Sequence, residues 1–209
     1  MCAALPSVAS FAMGIARLIP LILVLCVRTA SAQVLAFEMS VFGITFGTMT
    51  VARTQENDST ELYTLTAKGK TDFLWMQREE ESRYQVRYRN GIMQSSDYIY
   101  LNRGKKEKWA KVQRAGDQYR IETHTGVRLM HGPIRYSLLR LYFDPEHNVD
   151  QVFCEEDCSY SSLQRKSGTG EMLVTCKNGN SSTYHISKGR VQGLDIHLPV
   201  ATVRIKQVR

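Results

Sequence analysis

The sequence predicts a mainly β chain. It reads as a single curled antiparallel meander sheet, a barrel or half-barrel, with one short helix packed on it. Three observations carry that prediction. Apolar residues recur at every second position through most of the chain. Turn-forming pairs separate these runs at short intervals. One segment alone changes to helical spacing.

The first 32 residues stand apart from this pattern. They hold no acidic residue and two arginines, Arg17 and Arg28. Between the arginines runs an apolar stretch, Leu18 to Val27, broken by Pro20, and Ala30-Ser31-Ala32 follows as a small-x-small cleavage site. That layout is a secretory signal. The apolar stretch is about ten residues, and a membrane-spanning helix needs roughly twenty. An uncleaved anchor is the alternative. Cys26 does not make a lipid-attachment site, because Leu25 is large where a small residue is needed. The expected organisation is a signal peptide at 1–32 and one exported β-rich domain at 33–209. The domain is expected in the periplasm, or otherwise secreted, with no transmembrane segment.

Residues 33–209 number 177, enough for one domain with a sizeable core. They carry 25 basic and 20 acidic residues, a net +5. The basic residues gather between Arg83 and Arg120, which reads as the solvated outer face of several strands. Export argues against nucleic acid as a partner.

The period of two is clearest in five places. Phe37, Met39 and Val41 alternate with Glu38, Ser40 and Phe42, and Tyr84, Val86 and Tyr88 with Gln85, Arg87 and Arg89. Tyr119 and Ile121, Tyr184 and Ile186, and Val203 and Ile205 continue the pattern. Each strand then turns one face to a core and the other to water. Asn90-Gly91 and Asn178-Gly179 predict tight hairpins, since both positions of a two-residue turn need positive φ. Lys188-Gly189 and Ala115-Gly116 are weaker signals of the same kind. The acidic run Glu79-Glu80-Glu81 reads as an exposed entry to a turn.

The segment Pro133 to Phe143 breaks the period. Ile134, Leu138, Leu141 and Tyr142 fall on one helical stripe, Pro133 suits a first helical position, and Pro145 ends the run. A helix there is expected to lay its stripe on the concave face of the sheet, with Arg135 and Arg140 pointing to solvent.

Chemical motifs are sparse. There is no G-x-S-x-G elbow, no H-E-x-x-H and no phosphate-binding glycine loop. His124, His131, His147, His185 and His197 are scattered. No catalytic, cofactor-binding or metal-binding set is assigned. Cys154, Cys158 and Cys176 are candidates for a disulfide; their odd number leaves one unpaired within the chain. A zinc site with His185 as fourth ligand has the right residue types and no spacing that fixes its geometry. The aromatic surplus suggests an apolar-ligand lining, with Trp75, Tyr88, Tyr98, Trp109, Leu138 and Tyr142 as candidates; filling of the core is the competing role for each.

Three blocks resemble a family of exported Gram-negative proteins catalogued only as a domain of unknown function. They are Tyr84–Asn102, Ile134–Phe153 and Asn178–Gly189, with Tyr-Ser-Leu-x-x-Leu-Tyr-Phe at Tyr136–Phe143 the most specific part. The resemblance implies a signal peptide, a β-rich periplasmic domain and no established activity. Cys154 and Cys158 depart from its pattern. The function expected is a non-catalytic envelope domain that binds a lipid or another apolar or amphipathic component. The alternative is a structural or partner-binding protein.

Overall fold

The computed structural model describes residues 31–73, 76–145, 148–166, 168–177 and 179–208. The predicted signal at 1–32 lies almost wholly outside them.

The first meander contains β1 (Ala32–Val41), β2 (Ile44–Asn57), β3 (Thr60–Phe73), β4 (Met76–Arg89), β5 (Ile92–Asn102), β6 (Lys105–Ala115), β7 (Gln118–Thr123) and β8 (Gly126–His131). The helix α1 (Leu138–Leu141) follows. The second meander contains β9 (Gln151–Cys154), β10 (Ser159–Lys166), β11 (Glu171–Thr175), β12 (Ser181–Ser187), β13 (Arg190–His197) and β14 (Thr202–Gln207). All fourteen strands form one sheet in the order β8 to β1, then β14 to β9. Every pairing is antiparallel, and β1 joins the two meanders by pairing with β14, Met39 opposite Ile205. The sheet is curled and open, a half-barrel, with β8 and β9 at its edges.

The alternation seen in the sequence is the inside-outside alternation of the strands. Phe37 in β1, Val51 in β2, Tyr63 in β3, Val86 and Tyr88 in β4, and Ile121 in β7 are buried on the concave face. The outer face is paired charge, with Arg87 on Glu56 at 2.9 Å and Arg120 on Glu122 at 2.8 Å. Glu79–Glu81 lie within β4 rather than at a turn, and Glu80 accepts a hydrogen bond from the Tyr100 hydroxyl at 2.7 Å.

Asn90 and Gly91 have φ of 51° and 70° and make the expected hairpin between β4 and β5. Three other pairs do the same: Phe42-Gly43, Arg103-Gly104 and Lys188-Gly189. Phe42 therefore belongs to a turn and not to the β1 alternation, and it is exposed. Asn178 lies outside the described residues.

The helix is shorter than the stripe predicts. It covers Leu138–Leu141; residues 133–136 form no regular element, and Ser137 is extended at φ −135° and ψ 168°. The reason lies in tertiary hydrogen bonds. The Met93 N–H donates to the Ile134 carbonyl at 2.9 Å, and the Phe153 N–H donates to the Tyr136 carbonyl at 3.0 Å. The Ile134 N–H donates to the Tyr119 hydroxyl, which itself donates to the Met93 carbonyl. Groups engaged with other strands do not enter a helical ladder. The whole segment nevertheless packs on the concave face, with Ile134, Leu139, Leu141, Tyr142 and Phe143 buried. Arg135 is exposed, as expected. Arg140 is not: its guanidinium stacks 5.4 Å over the Tyr88 ring and donates to the Arg135 carbonyl at 3.0 Å.

Two stability outcomes follow from these positions, measurable by urea denaturation. Gly91→Val is expected to cost about 1 kcal/mol or more, because a β-branched residue resists positive φ. Leu141→Ala, at a fully buried site, is expected to cost roughly 2–5 kcal/mol, and Leu138→Ala, at a half-buried one, under about 2 kcal/mol.

Candidate functional site

The α1 segment does not fill the concave face completely. Between it and the sheet lies a cavity of about 470 Å³. One wall is apolar, built from Met39, Met49 and Leu65 of β1–β3 and from Leu194, Ile196 and Ile205 of β13 and β14. Leu138, Leu139 and Tyr142 form its ceiling. The mouth is polar and solvent-facing, with Lys108, Glu156, Asp157 and Asn180 exposed. Tyr142 is the inner stop. Its ring stands edge-on to Phe37 at 5.8 Å and to Tyr184 at 5.9 Å. Beyond it, Asp144 receives Arg53 at 3.3 Å, and Phe143 packs on Tyr63.

The residues singled out in the sequence are dispersed by the fold. Leu138 and Tyr142 line the cavity. Tyr88 is fully buried in the core under Arg140. Tyr98 is buried against Tyr84, with ring centroids 4.6 Å apart, and it is Tyr84 that reaches the cavity. Trp109 is half-buried, next to the inward Ala110, and carries the Lys106 ammonium 4.7 Å from its ring. Trp75 lies outside the described residues.

The three cysteines are all free thiols in this structure. Cys158 is buried in the β9–β10 turn and its thiol donates to the Glu155 carbonyl. Cys154 and Cys176 are close to each other at the cavity mouth. Their mutual hydrogen bond, with burial, raises the Cys154 thiol, and the same hydrogen bond lowers that of Cys176. His185 is elsewhere. It follows the inward Tyr184 on β12, so its ring is on the outer face, where it meets Asp195 at 3.2 Å and Glu171 at 3.5 Å. A zinc set containing His185 is therefore not assembled.

One residue gave no signal in the sequence. Glu155 sits in an acidic run, Glu155-Glu156-Asp157, that reads as a solvated turn, yet it is 1% exposed. Its Oε1 accepts the Leu139 N–H at 3.2 Å. Ser137, the residue preceding α1, makes no side-chain cap bond. Glu155 thus caps α1 from a distant turn, satisfying an N–H that would otherwise be orphaned. Its Oε2 has no hydrogen-bond partner in the structure. Burial pushes its carboxyl up to about 7, against the pull of Ser137 and the backbone N–H groups around it.

With this geometry in hand, comparison with known proteins yields one relation. The profile of a family described as a domain of unknown function (DUF6134) matches residues 37–208. No curated protein and no solved structure matches the chain.

The buried carboxyl makes stability depend on pH. In the unfolded chain Glu155 loses its proton near 4.5, and in the folded chain near 7. Between those values the folded state binds the extra proton, so stability falls as pH rises through that window. At 1.36 kcal/mol per unit the loss is about 3 kcal/mol. Glu155→Gln is expected to flatten this decline. Urea midpoints at pH 5 and pH 8, taken in chelator, check it; parallel pH profiles in the two proteins would assign the decline to another group.

Proposed function

The chain belongs to this family of domains of unknown function, and from that premise we propose that it is an exported, non-catalytic domain of the periplasm that binds an apolar or amphipathic envelope component. The observation that carries the proposal is the cavity under α1. Its volume, about 470 Å³, falls in the range of small-molecule sites. Its apolar walls suit an acyl or similar hydrocarbon part, and its polar mouth with Lys108 and Asn180 suits a hydrated head group. The signal-like sequence at 1–32 supports export. Among the described residues no helix is long and apolar enough to cross a membrane.

The non-catalytic reading rests on what surrounds the cavity. His185 and His197 face Asp195 and Thr183 on β12 and β13 and contribute nothing to its lining. Among the described residues no histidine lines the cavity beside Cys176, and a cysteine nucleophile ordinarily uses an imidazole base.

A second reading, partner binding through a sheet edge, has its own observation. β8 ends the sheet with Val127 and Leu129 exposed, and an open edge strand is a template for strand addition. Cross-linking in the envelope from a photoreactive residue at Val127 would capture such a partner.

For the favoured reading, solvent extracts of protein purified from the exported fraction are expected to contain a reproducible lipid by mass spectrometry. A fluorescent fatty acid is expected to bind the delipidated protein and to be displaced by that extract. Ile196→Trp, at a half-buried wall position, should occupy part of the cavity and weaken the probe by about tenfold, or 1.4 kcal/mol, with little change in melting temperature. Absence of both lipid and probe binding would remove the cavity as a ligand site.

A further inference from the structure

We propose that Cys154, Cys176 and Asp157 form a zinc-binding site at the mouth of the cavity. The two Sγ atoms and a carboxylate oxygen of Asp157 all lie within 4.8 Å of one another. Around a tetrahedral zinc, with bonds of about 2.0–2.3 Å, neighbouring donor atoms are roughly 3.3–3.8 Å apart. Small side-chain rotations bring three donors at this spacing onto one ion.

The sheet explains how residues 22 positions apart come together. Cys154, at the end of β9, is opposite Ser159 of β10. Thr175, at the end of β11, is opposite Ser162, which sets Cys176 beside Ser161 on the same inward face. The strand β10 runs between the two cysteines. Ser159 and Ser161 are small, so the thiols reach over them and meet. Asp157 comes from the four-residue turn that follows Cys154.

The same register argues against a disulfide as the purpose of the pair. Residues on strands flanking a third are separated by about two strand spacings, roughly 9.6 Å. A disulfide needs Cα atoms within about 7 Å. A metal ion tolerates the wider frame, because it adds two bonds between the sulfurs. Cys158, adjacent in sequence to Asp157, points away to the Glu155 carbonyl and is not a donor.

The donor set selects the ion. Two thiolates exclude calcium and magnesium, and a carboxylate beside them suits zinc better than copper(I), which prefers sulfur alone. Glu156, exposed in the same turn, adds negative potential, partly offset by Lys108 at 3.8 Å. Three protein donors leave the fourth position to water or to a donor atom from a solute in the cavity, as in zinc sites that exchange a ligand. The site stands independently of the lipid reading, since it uses none of the apolar wall.

The test uses the full exported chain, reduced with a phosphine without oxygen and titrated with zinc against a chromophoric chelator. One equivalent of zinc per chain is expected. Cys154→Ser and Cys176→Ser should abolish it, and Asp157→Asn, at an exposed residue, should weaken it at least about tenfold. Cys158→Ser should leave uptake unchanged. Cobalt(II) should give a thiolate charge-transfer band in the wild type and in Cys158→Ser that is lost in either Cys154→Ser or Cys176→Ser, each variant keeping an unchanged circular dichroism spectrum, so that the loss reports the ligands and not the fold. The proposal is overturned if the reduced protein takes up no zinc, if uptake survives Cys176→Ser, or if chain isolated without reductant carries Cys154 and Cys176 as a disulfide.

Discussion

Strands β8 and β9 are consecutive in the chain and lie at opposite edges of one fourteen-stranded sheet. The connection between them must therefore travel from one edge to the other, and the apolar concave face is the surface that most needs covering. The described residues between them, 132–145 and 148–150, belong to that crossing. Tyr142 is gripped between Phe37 of β1 and Tyr184 of β12, which belong to different meanders. Phe143 meets Tyr63 of β3, and Arg140 stacks on Tyr88 of β4. The crossing segment thus ties both halves of the sheet to one another through side chains, a tie that the single β1–β14 ladder supplies only along one line.

The path taken by this segment decides the local backbone chemistry. A non-helical start lets Ile134 and Tyr136 accept hydrogen bonds from Met93 and Phe153, joining the crossing segment to both meanders. Only four residues are then left to form helix. So short a helix ends where it begins, and its first N–H groups need acceptors. Glu155 supplies one at the expense of burying a carboxyl, whose second oxygen is left without a partner. A buried charge without full hydrogen bonding is costly, and the group responds by holding its proton to higher pH.

The cavity is a product of the same arrangement. A four-residue helix is too small to cover the full width of a curled sheet, and the uncovered part is walled by Met39, Met49, Leu65, Leu194 and Ile205. Methionine on two of these positions gives a wall that adapts in shape. At the mouth, the turns after β9 and β11 bring acidic, amide and thiol groups to the rim. The molecule thus joins an apolar interior to a chemically varied opening within a few residues of each other.

By itself the sequence determined the strands and their faces. The Tyr84–Val86–Tyr88 alternation and the Asn90-Gly91 turn act through neighbours in the chain, so their period and turn chemistry can be read locally. It also contained the family relation, which spans nearly the whole sheet. Tertiary structure alone decided the rest. The spacing of Ile134, Leu138, Leu141 and Tyr142 fits a helix, but the carbonyls of Ile134 and Tyr136 answer to Met93 and Phe153, 41 and 17 residues away. Arg140 reads as a surface residue until Tyr88 arrives beneath it. Glu155 reads as one acid of an exposed turn until α1 presents an N–H to it. Cys154 and Cys176 have no spacing that announces a pair, because their meeting depends on the register of β10 between them and on the two small serines it carries. In each case the deciding partner is distant in the chain, and a hydrogen bond or a contact between distant residues leaves no periodic trace in the sequence.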